Sequence, residues 1–474
     1  MTQEYIDFHA AERPEAVAII DNGRSITYAE FARDIRKVTH ALRALRLPRS
    51  ARAMVDYEDA YFNWLIRLAF ERLGVVTATI PLPDSPGSVG LVRDFDIVLS
   101  SKSFAPGTGP SCHRTTAEWW QGVLASTAED EEPKPEKRPD DAIRIVLTSG
   151  TTGTPKRMLH TRHTHDTLIM KTMCFAGFTR SSRYLVVLPL AAGAPTACIR
   201  AGGTVVFSQQ TPLANAITTH AITHTMIAPS ILQRALDELP AGFAKPADLT
   251  VLSLGAALSR VLREKTLSRL ATNVCDIYGS NEAGFVSLTW GTREFGTIWP
   301  GTRVEIVDDR DRPLPFGQVG HIRVQTDCMV HGYLDYPEAA GRIFKDGWFY
   351  AGDLGILHDE QRLQVIGRSD DVLNLGWRKI APELIEGQIV KTAQVGDVGV
   401  CSVQNADGIE ELCIAVSSPR DNDEVLLQRI TQMFRGLQLG QFRVIKVASI
   451  PRTATGKIQR DLLKEIVAAA TRGH

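Results

Sequence analysis

The stretch Ile143-Arg144-Ile145-Val146-Leu147, running into Thr148-Ser149-Gly150-Thr151-Thr152-Gly153-Thr154-Pro155-Lys156, decides how the chain is read. Four apolar residues with one interruption, Arg144, read as a strand. The residues after Leu147 cannot continue it. Gly150 and Gly153 permit backbone angles closed to other residues. Successive N–H groups in such a loop form a concave nest for an anion. Five hydroxyls and Lys156 add donors suited to phosphate oxygens. A solvated Ser/Thr-rich turn is the competing reading. The loop is not a Walker A motif, which would need glycine at Pro155 and serine or threonine at Arg157.

Upstream, residues 128–141 are charged, carry three prolines and offer one alanine as apolar content, so they read as a linker. Before them, Thr27 is an N-cap with Glu30 three residues on. Phe31, Ile35, Val38, Leu42 and Leu45 then follow at helical spacing. Residues 60–73 read as a second helix, and Val75–Ile80 and Ile97–Leu99 as strands. Strands alternating with helices imply an α/β architecture with a largely parallel sheet. Downstream, Arg303–Val307, His321–Val324 and Arg362–Ile366 read as strands between Gly, Pro and Asp turns, a smaller β-rich region. After Arg368 a compact α/β segment runs to the end.

The 474 residues suggest roughly three domains or subdomains at about 150 residues each. Lys and Arg total 53 against 54 Asp and Glu, a net charge of -1, which gives no reason to expect nucleic acid or an anionic membrane as partner. The N-terminus lacks the features of a signal peptide. No apolar run is long enough to span a membrane. The seven cysteines are scattered with no C-x-x-C pair, which argues against zinc and disulfides. A cytoplasmic protein with reduced thiols is expected.

Four further segments carry candidate chemistry. In Asp276-Ile277-Tyr278-Gly279-Ser280-Asn281-Glu282, Tyr278 is placed to cover a nucleobase, Asp276 to accept from an exocyclic amine and Glu282 to hold Mg²⁺. In Tyr350-Ala351-Gly352-Asp353, one carboxylate after glycine suits a ribose diol. Gly367-Arg368-Ser369-Asp370-Asp371 has the look of a hinge. In Pro451-Arg452-Thr453-Ala454-Thr455-Gly456-Lys457, Pro and Gly bracket a loop that presents one lysine, a cation able to neutralise charge building between a carboxylate and an α-phosphate. Taken singly, each also reads as an ordinary turn or linker.

In this order and spacing the five segments resemble the adenylate-forming superfamily of acyl- and aryl-CoA synthetases, peptide-synthetase adenylation domains and luciferases. Acyl- or aryl-CoA ligases are the nearest in kind. The likeness starts at Ile26-Thr27-Tyr28 and covers nearly the whole chain. It implies a large N-terminal AMP-binding domain, residues 1–369, and a small mobile C-terminal domain, residues 370–474, turning about Asp370. It implies that Thr148, Ser149, Gly150, Thr151, Thr152, Gly153 and Lys156 hold phosphates, and that Asp353 and Arg368 hold the ribose. Tyr278 and Asp276 contact adenine, Glu282 binds Mg²⁺, and Lys457 bridges the substrate carboxylate and the α-phosphate. The activity implied is ATP-dependent formation of an acyl-adenylate, then transfer to a thiol, with coenzyme A as acceptor.

Four departures qualify the likeness. Arg157 stands where glycine is usual. Asn281 replaces a threonine that meets the α-phosphate, and its amide still offers a donor. After Leu188-Pro189-Leu190 an aromatic gate is missing. The acid pocket is therefore expected to be lined by small residues: Ala191, Ala192, Gly255, Ala256, Ala257 and Gly279. Beside Gly376, Trp377 replaces a second glycine in the loop that approaches the thiol. These features leave two alternatives open: a free-standing enzyme loading a carrier-protein thiol or an amine, and a non-catalytic nucleotide-binding regulator. A kinase or P-loop ATPase is disfavoured.

Overall fold

The structure is a computed structural model. It describes residues 2–57, 59–79, 94–102, 111–130, 138–147, 156–187, 193–208, 211–334, 341, 343–369, 373–375, 378–380, 382–393, 395, 397–404, 410–417, 423–434, 442–453 and 456–472.

The local signals near the N-terminus fold as their chemistry dictates. Helix Tyr28–Arg43 starts at Thr27, whose Oγ1 accepts from the Glu30 amide at 3.2 Å while Glu30 accepts from the Thr27 amide at 2.8 Å. Reciprocal capping of this kind satisfies two otherwise orphaned donors. Helix Ala60–Leu73 ends on Gly74, left-handed at φ 77°. Phe31 packs on Trp64, and Trp64 on Phe207, with ring centroids 5.6 and 6.1 Å apart, joining both helices to the sheet beneath.

Two large sheets dominate the described residues. In the larger, Val17–Asp21, Thr204–Phe207, Arg183–Val186, His224–Ile227, Thr250–Ser253 and Asn273–Ser280 lie side by side and parallel. Sequence order reverses at Arg183–Val186, and ligands of open α/β sheets bind outside the carboxyl ends of strands near such a point. The β-rich region is not a sheet of its own. It continues this one antiparallel through Gly284–Trp290, Gly296–Ile298, Arg362–Arg368, Trp348–Leu357, Val319–Gln325 and Arg303–Val307. The second sheet is ordered Ser111–Arg114, Ile97–Ser100, Arg52–Asp56, Val76–Thr79, Ala142–Leu147, Arg157–Thr161. Its last pair is an antiparallel hairpin in which Leu147 faces Arg157. The loop 148–156 therefore joins two strands, with no helix start behind it.

The expected linker is pinned at its described ends. Asp130 is buried and accepts from Arg43 at 2.7 Å and Arg72 at 2.8 Å, and Glu129 pairs with Arg36. Ion pairing, not apolar burial, fixes a segment that hydropathy alone reads as loose. Residues 131–137 lie outside the described residues.

Beyond residue 370 the described strands join separate sheets. Asp397–Gln404, Glu410–Ser417 and Phe442–Lys446 form one of them, with helices Pro382–Ala393, Asp423–Phe434 and Arg460–Arg472. Ile389, Val400, Ile414 and Phe434 share a core there. No helix among the described residues is long and apolar enough to cross a membrane. All seven cysteines are free thiols, and five are buried.

Candidate active site

Sheet register builds one half of the site. Asp353 and Arg368 are cross-strand partners on Trp348–Leu357 and Arg362–Arg368. Tyr278 reaches them from Asn273–Ser280, its hydroxyl donating to Asp353 Oδ2 at 2.7 Å. Arg368 Nη1 donates to the Ala351 carbonyl at 2.6 Å and lies 3.4 Å from Asp353 Oδ1. Gly352, at φ 71°, lets this happen: an added Cβ would come within 2.9 Å of Arg368 Nη2. Burial raises the Asp353 carboxyl above the usual carboxylate range, against the Tyr278 hydrogen bond and the charges of Arg368 and Lys457. The Lys457 ammonium thus acts on the same carboxylate from the C-terminal segment.

Lys457 itself is exposed, on a turn stapled from both sides. Its amide donates to Thr453 Oγ1 at 3.1 Å and its carbonyl accepts from the Thr453 amide at 2.8 Å. Arg452 donates to the Gly456 carbonyl at 2.7 Å and pairs with Asp397. Three residues on, buried Arg460 pairs with Glu386 and Glu383.

The second half lies at the hairpin. Lys156 ends the loop and Leu147 precedes it. The Asn281 amide is 3.5 Å from the Leu147 carbonyl, and His160 Nε2 is 3.3 Å from the Asn281 carbonyl. Glu282 is one residue further, and its Oε1 accepts from the Tyr333 hydroxyl at 2.9 Å. The ring of Tyr333 carries the Lys156 ammonium over its face, 5.0 Å from the centroid. Burial and the Glu282 charge both raise the Tyr333 phenol, so it stays protonated and donates. Of the expected phosphate holders, Thr148, Ser149, Gly150, Thr151, Thr152 and Gly153 lie outside the described residues, as do Ala191, Ala192, Asp370, Gly376 and Trp377.

Residues 96–334, just over half of the chain, match the family described as AMP-binding enzyme. The chain belongs to that family. It is 25% identical to the indoleacetate–CoA ligase of Aromatoleum aromaticum, over 99% of this chain and 98% of that protein. It is also 25% identical to the fatty acid–[acyl-carrier-protein] ligase ScoC of Streptomyces coeruleorubidus, over 97% and 95%. The ATP-bound structure of MatB from Rhodopseudomonas palustris superposes with a TM-score of 0.85 at 22% identity, covering 98% of this chain and 99% of that one. That likeness fixes the α/β fold.

Within this AMP-binding enzyme, Asp276 is occupied more fully than its sequence context suggests. Its Oδ2 accepts from the Leu258 amide at 3.2 Å and lies 3.4 Å from Arg263 Nη2. Arg263 also reaches the Leu258 carbonyl at 3.4 Å, so the pair holds both backbone groups of one residue. Leu258 closes the run Gly255-Ala256-Ala257, which sits at the carboxyl end of strand Thr250–Ser253. Burial lifts the Asp276 carboxyl from 3.8 to about 6, with Arg263 and the Leu258 amide pulling it down. Gly279 has a reason to be glycine beyond pocket size: an added Cβ would meet the Gly284 carbonyl oxygen at 2.3 Å.

Sequence reasoning passed over Tyr333, Arg263 and Arg460, and gave Arg452 no role within its segment. Only Tyr333 left a trace, because Gly332-Tyr333 repeats the juxtaposition of glycine and aromatic seen at Tyr278-Gly279.

Proposed function

We propose that this enzyme activates a carboxylic acid with ATP and passes the acyl group to the thiol of coenzyme A. The observation that carries the reading is the convergence of Tyr278, Arg368 and the charge of Lys457 on Asp353. A carboxylate oriented through both oxygens suits a ribose diol, and we assign the Lys457 charge, which acts on that carboxylate, to the α-phosphate that follows. In the first step a carboxylate oxygen of the acid attacks the α-phosphorus. The bond to the bridging oxygen breaks, and pyrophosphate leaves with the electron pair. Lys457 offsets the negative charge that builds between acid and phosphate, the kind of contribution that dominates such reactions. In the second step the thiolate sulfur attacks the acyl carbon. The acyl–oxygen bond breaks, AMP leaves, and the thiol proton passes to solvent.

The residues fit Mg²⁺. Tyr333 donates to Oε1 of Glu282 and so orients a carboxylate whose hard oxygens match this ion. This suits an ion bound through one carboxylate plus substrate phosphates. When bound, Mg²⁺ neutralises phosphate charge and orients the leaving group. We assign the loop 148–156 to the β- and γ-phosphates and Asn281 to the α-phosphate. The acid pocket is assigned to Gly255, Ala256, Ala257, Gly279, Ala191 and Ala192, and the thiol channel to Gly376 and Trp377. The domains divide at residues 369 and 370, with Asp370 as the hinge on which Lys457 withdraws before the second step. The cytoplasm, which holds ATP and reduced thiols, suits this chemistry.

The test is ATP–pyrophosphate exchange across short-chain, long-chain, aromatic and amino acids, followed by AMP release with coenzyme A, carrier protein or amine. Acid-dependent exchange with AMP release driven by free coenzyme A is expected. Release only with a carrier protein or an amine moves the acceptor. ATP binding with no exchange for any acid supports a non-catalytic nucleotide-binding protein instead.

A further inference from the structure

Lys156 and Glu282 carry opposite charges at the mouth of the same loop, yet each is held by Tyr333. In a polar cleft two such side chains tend to pair directly, and that pair would have to break before either met ATP or its metal. Tyr333 takes them by different surfaces. The ring face attracts the ammonium, as aromatic faces attract cations. The hydroxyl donates to a single oxygen of the carboxylate.

Tyr333 is itself firmly seated. It bridges Met158 of the hairpin, and the neighbouring Leu334 amide donates to the Arg157 carbonyl at 2.8 Å. The Val330 amide donates to the Glu282 carbonyl at 2.9 Å, tying the same segment to the acid's own backbone. Its ring meets Phe344 edge-on, with centroids 5.7 Å apart. The spacing between Lys156 and Glu282 is therefore set by a buried ring fixed on both sides.

We propose that Tyr333 is a positioning residue that holds the Lys156 ammonium and the Glu282 carboxylate apart, so that the first is ready for phosphate and the second for the divalent cation. The proposal rests on the ATP-dependent reading above and adds to it a residue that nothing in the sequence motifs singled out. It makes the two functions of Tyr333 separable. The hydroxyl serves the metal side, and the ring serves the phosphate side.

The experiment measures binding of a fluorescent ATP analogue to the full-length protein across a Mg²⁺ titration, without turnover. Tyr333→Phe keeps the ring and removes the donor. It should raise the Mg²⁺ concentration needed for half-maximal binding about tenfold, the usual cost of losing a partner that orients a metal ligand. Its affinity for the analogue at saturating Mg²⁺ should stay within about twofold. Tyr333→Leu removes both surfaces and should weaken affinity about tenfold even at saturating Mg²⁺.

Thermal midpoints report folding, and a cycle with Glu282→Gln keeps the test open if Tyr333→Leu folds poorly. In the Glu282→Gln protein, Tyr333→Phe should leave the Mg²⁺ titration unchanged. Coincident Mg²⁺ titrations for wild type and Tyr333→Phe overturn the inference alone. So does an undiminished effect of Tyr333→Phe in the Glu282→Gln background. A wild-type protein that binds no ATP at any Mg²⁺ concentration overturns the adenylation reading and this inference with it.

Discussion

Asp353 and Glu282 are two acids of the candidate site, and they are held in different ways. Asp353 lies inside a ten-residue strand, with Arg368 opposite it in register and Tyr278 donating from a third strand of the same sheet. Both of its oxygens have partners. Glu282 sits on the turn between strands Asn273–Ser280 and Gly284–Trp290, and one hydroxyl from a distant loop orients it. The first acid is fixed by sheet geometry before any ligand arrives. The second has a hydrogen bond on one oxygen among the described residues, and its other oxygen is the one proposed for a cation. On the proposed assignment Asp353 meets a ribose of one shape and Glu282 a metal ion beside a departing pyrophosphate, and the difference in construction suits that difference in task.

Asp353→Ala should give the largest effect on this comparison. It removes the acceptor proposed for the ribose hydroxyls and leaves the Tyr278 hydroxyl without the carboxylate it donates to. The KM for ATP should rise on the order of 10²-fold, with a lower thermal midpoint, since hydrogen bonds to charged groups are worth about 1.5–3 kcal/mol each. Pyrophosphate exchange at varied ATP measures it. An effect on the KM for ATP no larger than that of Glu282→Gln would erase the distinction between the two acids. Glu282→Gln should act mainly on the metal, raising the Mg²⁺ requirement more than the loss of its orienting partner does, by about 100-fold, the upper end for such a partner, while the midpoint hardly moves. A large loss of stability in that variant would show that Glu282 is as structural as Asp353.

The smallest effect concerns pH. Asp276 holds a proton in the folded protein up to about pH 6, whereas its ordinary value is 3.8. Between those values the native state binds more protons than the unfolded chain, so stability falls as pH rises across the window and levels off above it. Arg263→Met removes a charge that pulls the Asp276 carboxyl down, so the upper end of the window should move upward. Denaturant unfolding between pH 4 and pH 8 reads the shift, and an unchanged upper end would separate Asp276 from Arg263.

Much of this was legible in the chain because it is local. The capping box at Thr27 and Glu30 needs only three residues of spacing, and strand Arg303–Val307 has the bounds its pattern gives. Asp353 stood out through its place in the order of five short segments, since Gly352-Asp353 alone also reads as an ordinary turn. What was hidden depends on contacts far apart in sequence. Tyr333 meets Glu282 across 51 positions, and Asp130 meets Arg72 across 58. A charged run next to prolines looks solvated until the arginines that bury it are known. The union of the β-rich region with the parallel sheet was equally invisible, since it rests on the short strand Gly296–Ile298 pairing with Arg362–Arg368.

The proposed reaction joins an acid to AMP with Lys457 at the reacting centre. Its most direct measurement is acid-dependent ATP–pyrophosphate exchange in wild type and Lys457→Ala, with thermal midpoints and ATP binding recorded beside it. The account predicts a loss on the order of 10²–10³ in exchange with the midpoint preserved. Wild-type exchange in Lys457→Ala, or exchange in the wild type that no acid stimulates, would contradict it.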